Sequence, residues 1–567
     1  MDIPEVVTRD EILKRKENGT LSDFFNALGS ASIKAIDFSD MDLELFPKNL
    51  GDKETLESIN FSKNKAEKLP GEWWGYKKLK TLILSELVLP EKTEKSEAVS
   101  FSIPKKIFEL GHLEMLDLSG NKLKALPEEI KQLKGLKSLI LSKNLFASIP
   151  DILFGCQSLE TIVLKDNSIL EVPQKIKELS NLKKLDLSGN KLKALPVQIK
   201  QLKGLKSLIL SKNQFSSIPD ILFGCQGLET IVLKDNSLSE VPQKIKELSN
   251  LKKLDLSGNM LKALPEEIKQ LKELKTLALS KNQFTFIPDI LLDRQDLEAI
   301  IFKDNSLSNV PEKIRTFSKL KMLDLSGNQI SELSDSIFLK SKEGSAETEP
   351  SFPQLKNLFL GKNKLKALPK GLEKYQSLEI VDFSENLLGS SFNKNSEKGE
   401  ACLKNISSWE NLEMLKLNGN KLESLPEGLA NCVRLKVLDS SGNLIKSVSL
   451  SKEKNALKNL TMLFLQDNEL KELSGLESCQ ALTTINLANN KIENLSNEFE
   501  SLEKLHTLFL DKNLIKSLPG SLGECQKLQY LTFTENPESM VPGSISVKEP
   551  GLIKWSDGSG TVQVITK

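Results

Sequence analysis

The sequence predicts an α/β solenoid, a right-handed arc with one long parallel sheet on its concave side and short 3₁₀ or α elements on its convex side. Three observations lead there. The stretch "LFGCQSLETIVLKDNS" at 153–168 returns at 222–237 with a single change, Ser158 to Gly227. The 69-residue block that carries it begins at Leu113, Leu182 and Leu251, and each block divides into three units of 23. Within a unit an alternating L-x-L segment is followed by an Asn and then by an L-P-x-x-I segment. A unit this short cannot bury its apolar face alone, so it must stack on its neighbours.

Each part of the unit has a physical reading. L-x-L is a short strand whose two leucines point to one face. Strands of successive units align in parallel, which requires crossovers, and the rest of each unit supplies one. Asn121, Asn144, Asn167 and Asn190 fall where the chain leaves the strand. Their amides can satisfy backbone groups that a tight turn leaves unpaired. The return segment "PEEIKQLKG" from Pro127 opens with proline, places Glu128 and Glu129 in its first turn and ends before Gly135. This is helix grammar over two turns.

The same frame starts at Ile33, Leu56 and Leu79 and resumes from Leu320 to Leu528, giving about 21 units between residues 33 and 550. Polar insertions interrupt it near 90–100, 340–350 and 391–401. Residues 1–32 read as an N-terminal helical cap. There "SDFFNALG" has an N-cap, an apolar stripe and a closing glycine, and Phe24, Phe25 and Leu28 are expected to cover the first strand. Residues 551–567 read as a C-terminal β-hairpin turning at Asp557-Gly558, with Trp555 packed on the last unit.

This wording resembles the leucine-rich repeat family, and its 23-residue length and L-P-x-x-I segment most resemble the spirochaete (Leptospira-type) and Ras-scaffold-like members. The resemblance implies a non-enzymatic surface for protein–protein interaction. It is specific for fold and not for function, because such repeats serve many unrelated partners.

Composition excludes several classes. The 78 basic and 77 acidic residues nearly cancel. The slot after the first leucine holds Glu114, Lys137, Glu160, Lys183, Lys206, Glu229 and Lys252, a mixed row and not the basic stripe that nucleic acid requires. No apolar run reaches the ~18 residues of a membrane span. The N-terminus lacks the apolar core of a signal peptide, so the chain reads as cytoplasmic as written. The resemblance to spirochaete proteins, many of them exported, implies a secreted or cell-surface location if a signal was removed or export is non-classical.

No catalytic constellation or cofactor site is expected. The two histidines, His112 and His506, lie at opposite ends of the array. Asp117, Asp186, Asp255 and Asp324 share an outward slot but recur every third unit, roughly 14 Å apart. That is too far for paired-carboxylate chemistry, so they read as a solvated face. Cys156, Cys225, Cys432, Cys479 and Cys525 fall at a leucine slot and read as buried small apolar residues. Cys402 lies in an insertion and reads as an exposed thiol. An effector-type ubiquitin ligase is disfavoured, because the repeats run almost to the C-terminus and the short tail has no cysteine.

The concave face remains as the candidate site. Its central outward slot holds Ile140, Val163, Ile209, Val232 and Ile301, and later Phe359, Phe464 and Phe509. Neighbouring outward slots add Met322, Ile380, Met414, Met462 and Tyr530. Aromatic residues and Met are enriched at interfaces. The expectation is a protein partner docked toward the C-terminal half around Phe359, Met414, Phe464 and Phe509. Its setting is either that of an exported factor contacting a host or that of an intracellular scaffold or regulator.

Overall fold

A computed structural model of the 567-residue chain describes residues 3–29, 31–43, 49–65, 75–87, 103, 105–341, 347–369, 371–389, 406–450 and 456–537, with the backbone alone of 545–549, 552–555 and 561–565. The chain divides into two compact units, Met1–Leu274 and Lys275–Lys567.

In the first unit a parallel sheet runs from Val6–Val7 through Ala35–Asp37, Ser58–Asn60, Thr81–Ile83 and Met115–Asp117 to Lys253–Asp255. Each repeat contributes one strand of three residues, the middle one buried. Return segments such as Glu128–Gln132, Asp151–Gly155 and Gln174–Glu178 are 3₁₀ helices, not α-helices. With only five residues each, they fall in the range where 3₁₀ geometry is tolerated. Their inward residues, Ile130, Leu153 and Ile176, are fully buried.

The strands are held in line by the asparagines. Asn144 Nδ2 donates to Leu118 O and Leu141 O, both at 3.0 Å. Its Oδ1 accepts from Asn121 N at 3.1 Å and Leu123 N at 2.9 Å. One side chain thus satisfies its own turn and the turn of the preceding repeat. Asn190 and Asn213 repeat the arrangement. The residue before each of these asparagines is left-handed, as at Lys143, Asp166 and Gly189, and its N–H donates to the next repeat. The triplicated block has a fitted join here. A Cβ on Gly189 would stand 2.0 Å from Asp166 Oδ1, and Gly258 faces Asp235 in the same way. The Asp of one repeat occupies the space that the Gly of the next leaves open.

The N-terminal edge differs in part from expectation. Arg9–Glu17 and Leu21–Leu28 are helices, with Phe24 and Leu28 buried. Phe25 is only half-buried, edge-on to Phe38 at 5.7 Å between ring centroids. The sheet edge itself is extended by a two-residue strand, Val6–Val7, which pairs with Ala35–Ile36.

In the second unit the parallel sheet starts at Thr276–Ala278 and runs through Met322–Asp324, Asn357–Phe359, Ile380–Asp382, Met414–Lys416, Val437–Asp439, Met462–Phe464, Thr484–Asn486 and Thr507–Phe509 to Tyr530–Thr532. The insertion near 340–350 forms an antiparallel hairpin of Leu339–Ser341 and Thr348–Pro350, and Lys374 Nζ donates to Thr348 O at 2.8 Å. The insertions near 90–100 and 391–401 lie outside the described residues, as does Cys402. At the C-terminal end Leu552–Trp555 and Thr561–Ile565 pair antiparallel, and Thr561–Ile565 joins Tyr530–Thr532 in parallel. The packing of Trp555 lies outside what is described.

Cys156, Cys225, Cys432, Cys479 and Cys525 are buried and unpaired. Burial pushes the Cys432 and Cys525 thiols up to about 12. At about pH 8 these five should therefore resist iodoacetamide in the native protein and react once it is unfolded in guanidinium. Alkylation of Cys432 or Cys525 in the native state at the rate of free cysteine, read by peptide mass spectrometry, would contradict the packing.

Two substitutions probe the ladder. Asn144→Ala removes the partner of four buried backbone groups and should cost roughly 2–4 kcal/mol locally. Hydrogen exchange should show lost protection at Asn121 and Leu123, whereas Lys122→Ala should leave both amides unchanged. Gly189→Ala should cost about 1–2 kcal/mol for the left-handed backbone alone, plus the clash with Asp166. In an Asp166→Ala background the clash part should vanish. Strictly additive effects in that double-mutant cycle would refute the proposed fit.

Candidate protein-binding face

In the second unit each strand of the parallel sheet from Met322–Asp324 onward buries its middle side chain and turns its flanking two outward. The pairing aligns these outward positions into two rows across the sheet. The first row reads Met322, Asn357, Ile380, Met414, Val437, Met462, Thr484, Thr507, Tyr530. The second reads Asp324, Phe359, Asp382, Lys416, Asp439, Phe464, Asn486, Phe509, Thr532.

This register splits the site expected from sequence. Ile380, Met414, Val437 and Met462 are direct lateral neighbours, and Phe464 stands on the same strand as Met462. Phe359 borders this patch diagonally from Ile380, within reach of an aromatic side chain. Phe509 and Tyr530 form a second, smaller group, cut off from Phe464 by Asn486 and Thr484. Met322 is isolated by Asn357. Met462 is 40% and Tyr530 47% exposed, while Met322, Phe359, Ile380, Met414, Phe464 and Phe509 are half-buried. Val437 completes the patch and was not among the sequence candidates. Its surroundings, "RLKVLDSSGN", carry no aromatic or thioether signal, and only the pairing of strands reveals its place.

The acidic residues of the second row are occupied. Asp324 Oδ1 accepts from Ser326 N at 3.0 Å and Ser326 Oγ at 2.5 Å. Asp382 and Asp439 make the same pair of bonds to Ser384 and Ser441. Asp186 does so in the first unit. The aspartates are therefore half-buried turn-closing groups and not the solvated face expected. Burial pushes the Asp324 carboxyl above the usual range.

Below the first row runs a line of charges that neutralise one another. Lys321 pairs with Glu298 and Lys356 with Glu379, each at 2.7 Å, and Lys436 pairs with Glu413 at 2.8 Å. The hydrogen bond from Lys321 holds the Glu298 carboxyl below its usual range. In the first unit the mixed slot noted from sequence behaves alike. Lys137 pairs with Glu114, Lys183 with Glu160, and both Lys206 and Lys252 with Glu229.

Among the described residues no group of three or more His, Cys, Asp or Glu side chains is placed to hold a metal ion. No described helix is long and apolar enough to cross a membrane. The arrangement offers contact surface: an outward apolar patch edged on one side by paired charges and on the other by hydrogen-bonded aspartates and Lys416.

A repeated strand, asparagine ladder and 3₁₀ return define a leucine-rich repeat protein. The chain belongs to that family. Models of the leucine rich repeat match residues 101–146, 134–192, 157–215, 203–261, 272–330 and 480–537, with a two-copy model at 458–501, together more than half of the chain. Among curated proteins it is similar to Toll-like receptor 2 type-1 of Gallus gallus, 28% identical over 30% of this chain and 19% of that protein. It is also similar to Toll-like receptor 10 of Bos taurus, 27% identical over 28% of this chain and 20% of that protein. The matches thus span about a fifth of the length of these relatives. Among solved structures, a leucine-rich repeat protein of Leptospira interrogans aligns over 92% of this chain and 98% of its own, at 26% identity and a TM-score of 0.48. A plant peptide hormone receptor in complex with its peptide aligns over 90% and 87%, at 25% identity and a TM-score of 0.48. Proteins of this family in general mediate protein–protein interaction, and their fold is typically a non-enzymatic scaffold.

Proposed function

We propose that this chain is a non-enzymatic interaction solenoid that binds a protein partner on the outward sheet face of residues 275–567. The contact is centred on Ile380, Met414, Val437, Met462 and Phe464, with Phe359 at its border. One observation carries the reading. Four apolar side chains stand side by side on strands whose opposite face is already the leucine core, so the fold has no use for them there. Soluble proteins seldom expose contiguous apolar patches without a partner. Met and Phe are also the residue types that anchor interfaces.

The spirochaete-type repeat wording supports an exported role against a host surface protein. The second reading, an intracellular scaffold, is favoured by five buried and unpaired thiols, since exported chains use disulfides more freely. Fractionation of the source cells separates the two.

Met462→Ser with Phe464→Ser should weaken partner binding at least about tenfold, because interface energy concentrates in a few anchors and about 1.4 kcal/mol is one decade. Ile140→Ser with Ile209→Ser, the matched pair in the first unit, should change binding little. Surface plasmon resonance against the captured partner measures both, with thermal melts to show that the variants fold. Equal binding by the two pairs would remove the assignment.

A further inference from the structure

At the C-terminal end of the same sheet the line of paired charges stops. The slot that holds Lys321, Glu379 and Lys436 elsewhere becomes Thr461, Thr483, His506 and Gln529. The slot just before the leading leucine changes as well. In repeats nearer the start of the second unit it places Lys319 against Asp296 at 2.7 Å. In the last two it holds Lys504 and Lys527, one strand spacing apart and of the same sign. Among the described residues neither lysine has an ion-pair partner.

These two lysines line a cleft of about 420 Å³ together with Thr483, Thr484 and His506, and no acidic residue lines it. His506 is fixed from both sides of its ring, by Thr507 Oγ1 and Gln529 Oε1, each at 2.9 Å, and it lies against Tyr530 with 5.3 Å between ring centroids. Both ring nitrogens are thus engaged, which leaves the two ammonium groups as the free charged donors beside the Thr484 hydroxyl. Thr483 Oγ1 is committed to Thr461 O at 3.0 Å.

Two like charges held side by side repel each other, and an anion between them relieves that cost. We propose that this cleft receives a carboxylate side chain, Asp or Glu, from the protein partner. This rests on the reading that the outward face of the second unit binds a protein. Phe509 and Tyr530 stand on the same two strands, so the ligand that fits here is an acidic residue with an apolar neighbour. A sulfated glycan would require a longer run of cations, and of the other lysines of these two slots in the second unit Lys319, Lys321, Lys356 and Lys436 are already paired, while Lys275 stands at the opposite end of this sheet, before its first strand.

The test uses the full chain and two fluorescein-labelled probes, a hexaglutamate peptide and a heparin hexasaccharide, at low ionic strength. Fluorescence anisotropy should show hexaglutamate binding that weakens with salt. Lys504→Gln with Lys527→Gln should weaken it about twofold to thirtyfold, the range expected for two exposed pairs, and Lys504→Arg with Lys527→Arg should restore it. Lys122→Gln with Lys191→Gln, the same charge change in the first unit, should have no effect. Equal loss in both Gln pairs, no loss in either, or heparin binding that depends on Lys504 and Lys527 more strongly than hexaglutamate does would overturn the proposal. Met462→Ser with Phe464→Ser tests the other reading alone. If that pair still binds the partner while the hexaglutamate result holds, the apolar centre fails and the anion site stands.

Discussion

The asparagine ladder is the interaction on which the remainder of the structure depends. A turn that leaves a strand after three residues strands several backbone groups in a dry interior, and each would cost on the order of 1–3 kcal/mol unpaired. One Asn per repeat answers this by donating to two carbonyls and accepting from the preceding turn, as Asn363 does with Leu325 O, Leu360 O and Ile330 N. Because each amide reaches into the preceding repeat, it also fixes the offset between repeats. The strands can then align only in register, and the leucines below them can only stack on leucines.

That register is what makes the outward face meaningful. Leucine, asparagine and proline positions are consumed by the fold, while the two outward positions of each strand are free except where an Asp closes its own turn, as at Asp186 and Asp324. In the duplicated blocks those free positions were copied along with the rest. The copying by threes has its own logic in the fitted pair of Asp166 and Gly189. The Asp of one repeat fits the Gly of the next, and the pair recurs 69 residues on at Asp235 and Gly258, whereas the left-handed Lys143 and Lys212 are each followed one repeat on by Asp. Beyond the copies the free positions diverge, and there the apolar patch from Ile380 to Met462 appears.

The periodic part of the molecule was legible in the sequence because its physics repeats. Strand, ladder, 3₁₀ return and the leucine-like cysteines each recur at a fixed slot, and every copy reinforces the reading. What does not recur was harder to read. Val6–Val7 extends the sheet through two residues that carry no period. The aspartates looked like surface wording because their bond to a serine two residues on is local and leaves no spacing signal. The candidate site was legible only as a list of residues. Insertions between repeats hide which strands are neighbours, so that Ile380 and Met414 touch across the sheet although an interruption separates them in sequence. Val437 was passed over because its segment carries no aromatic or thioether signal, and Phe509 was credited with a neighbour it lacks.

Charge follows the same division between what is fixed and what is free. Pairs such as Lys321 with Glu298 are exposed and individually weak. Their effect is to cancel the field locally, repeat by repeat, which is how a chain with 78 basic and 77 acidic side chains shows mixed rows of charge among the described residues. With charges cancelling in this way, the proposed partner binding rests on short-range features, namely apolar contact and local charge, more than on long-range steering. A surface built this way gains its specificity from position along the array, because each repeat offers the same two outward slots and differs only in what fills them.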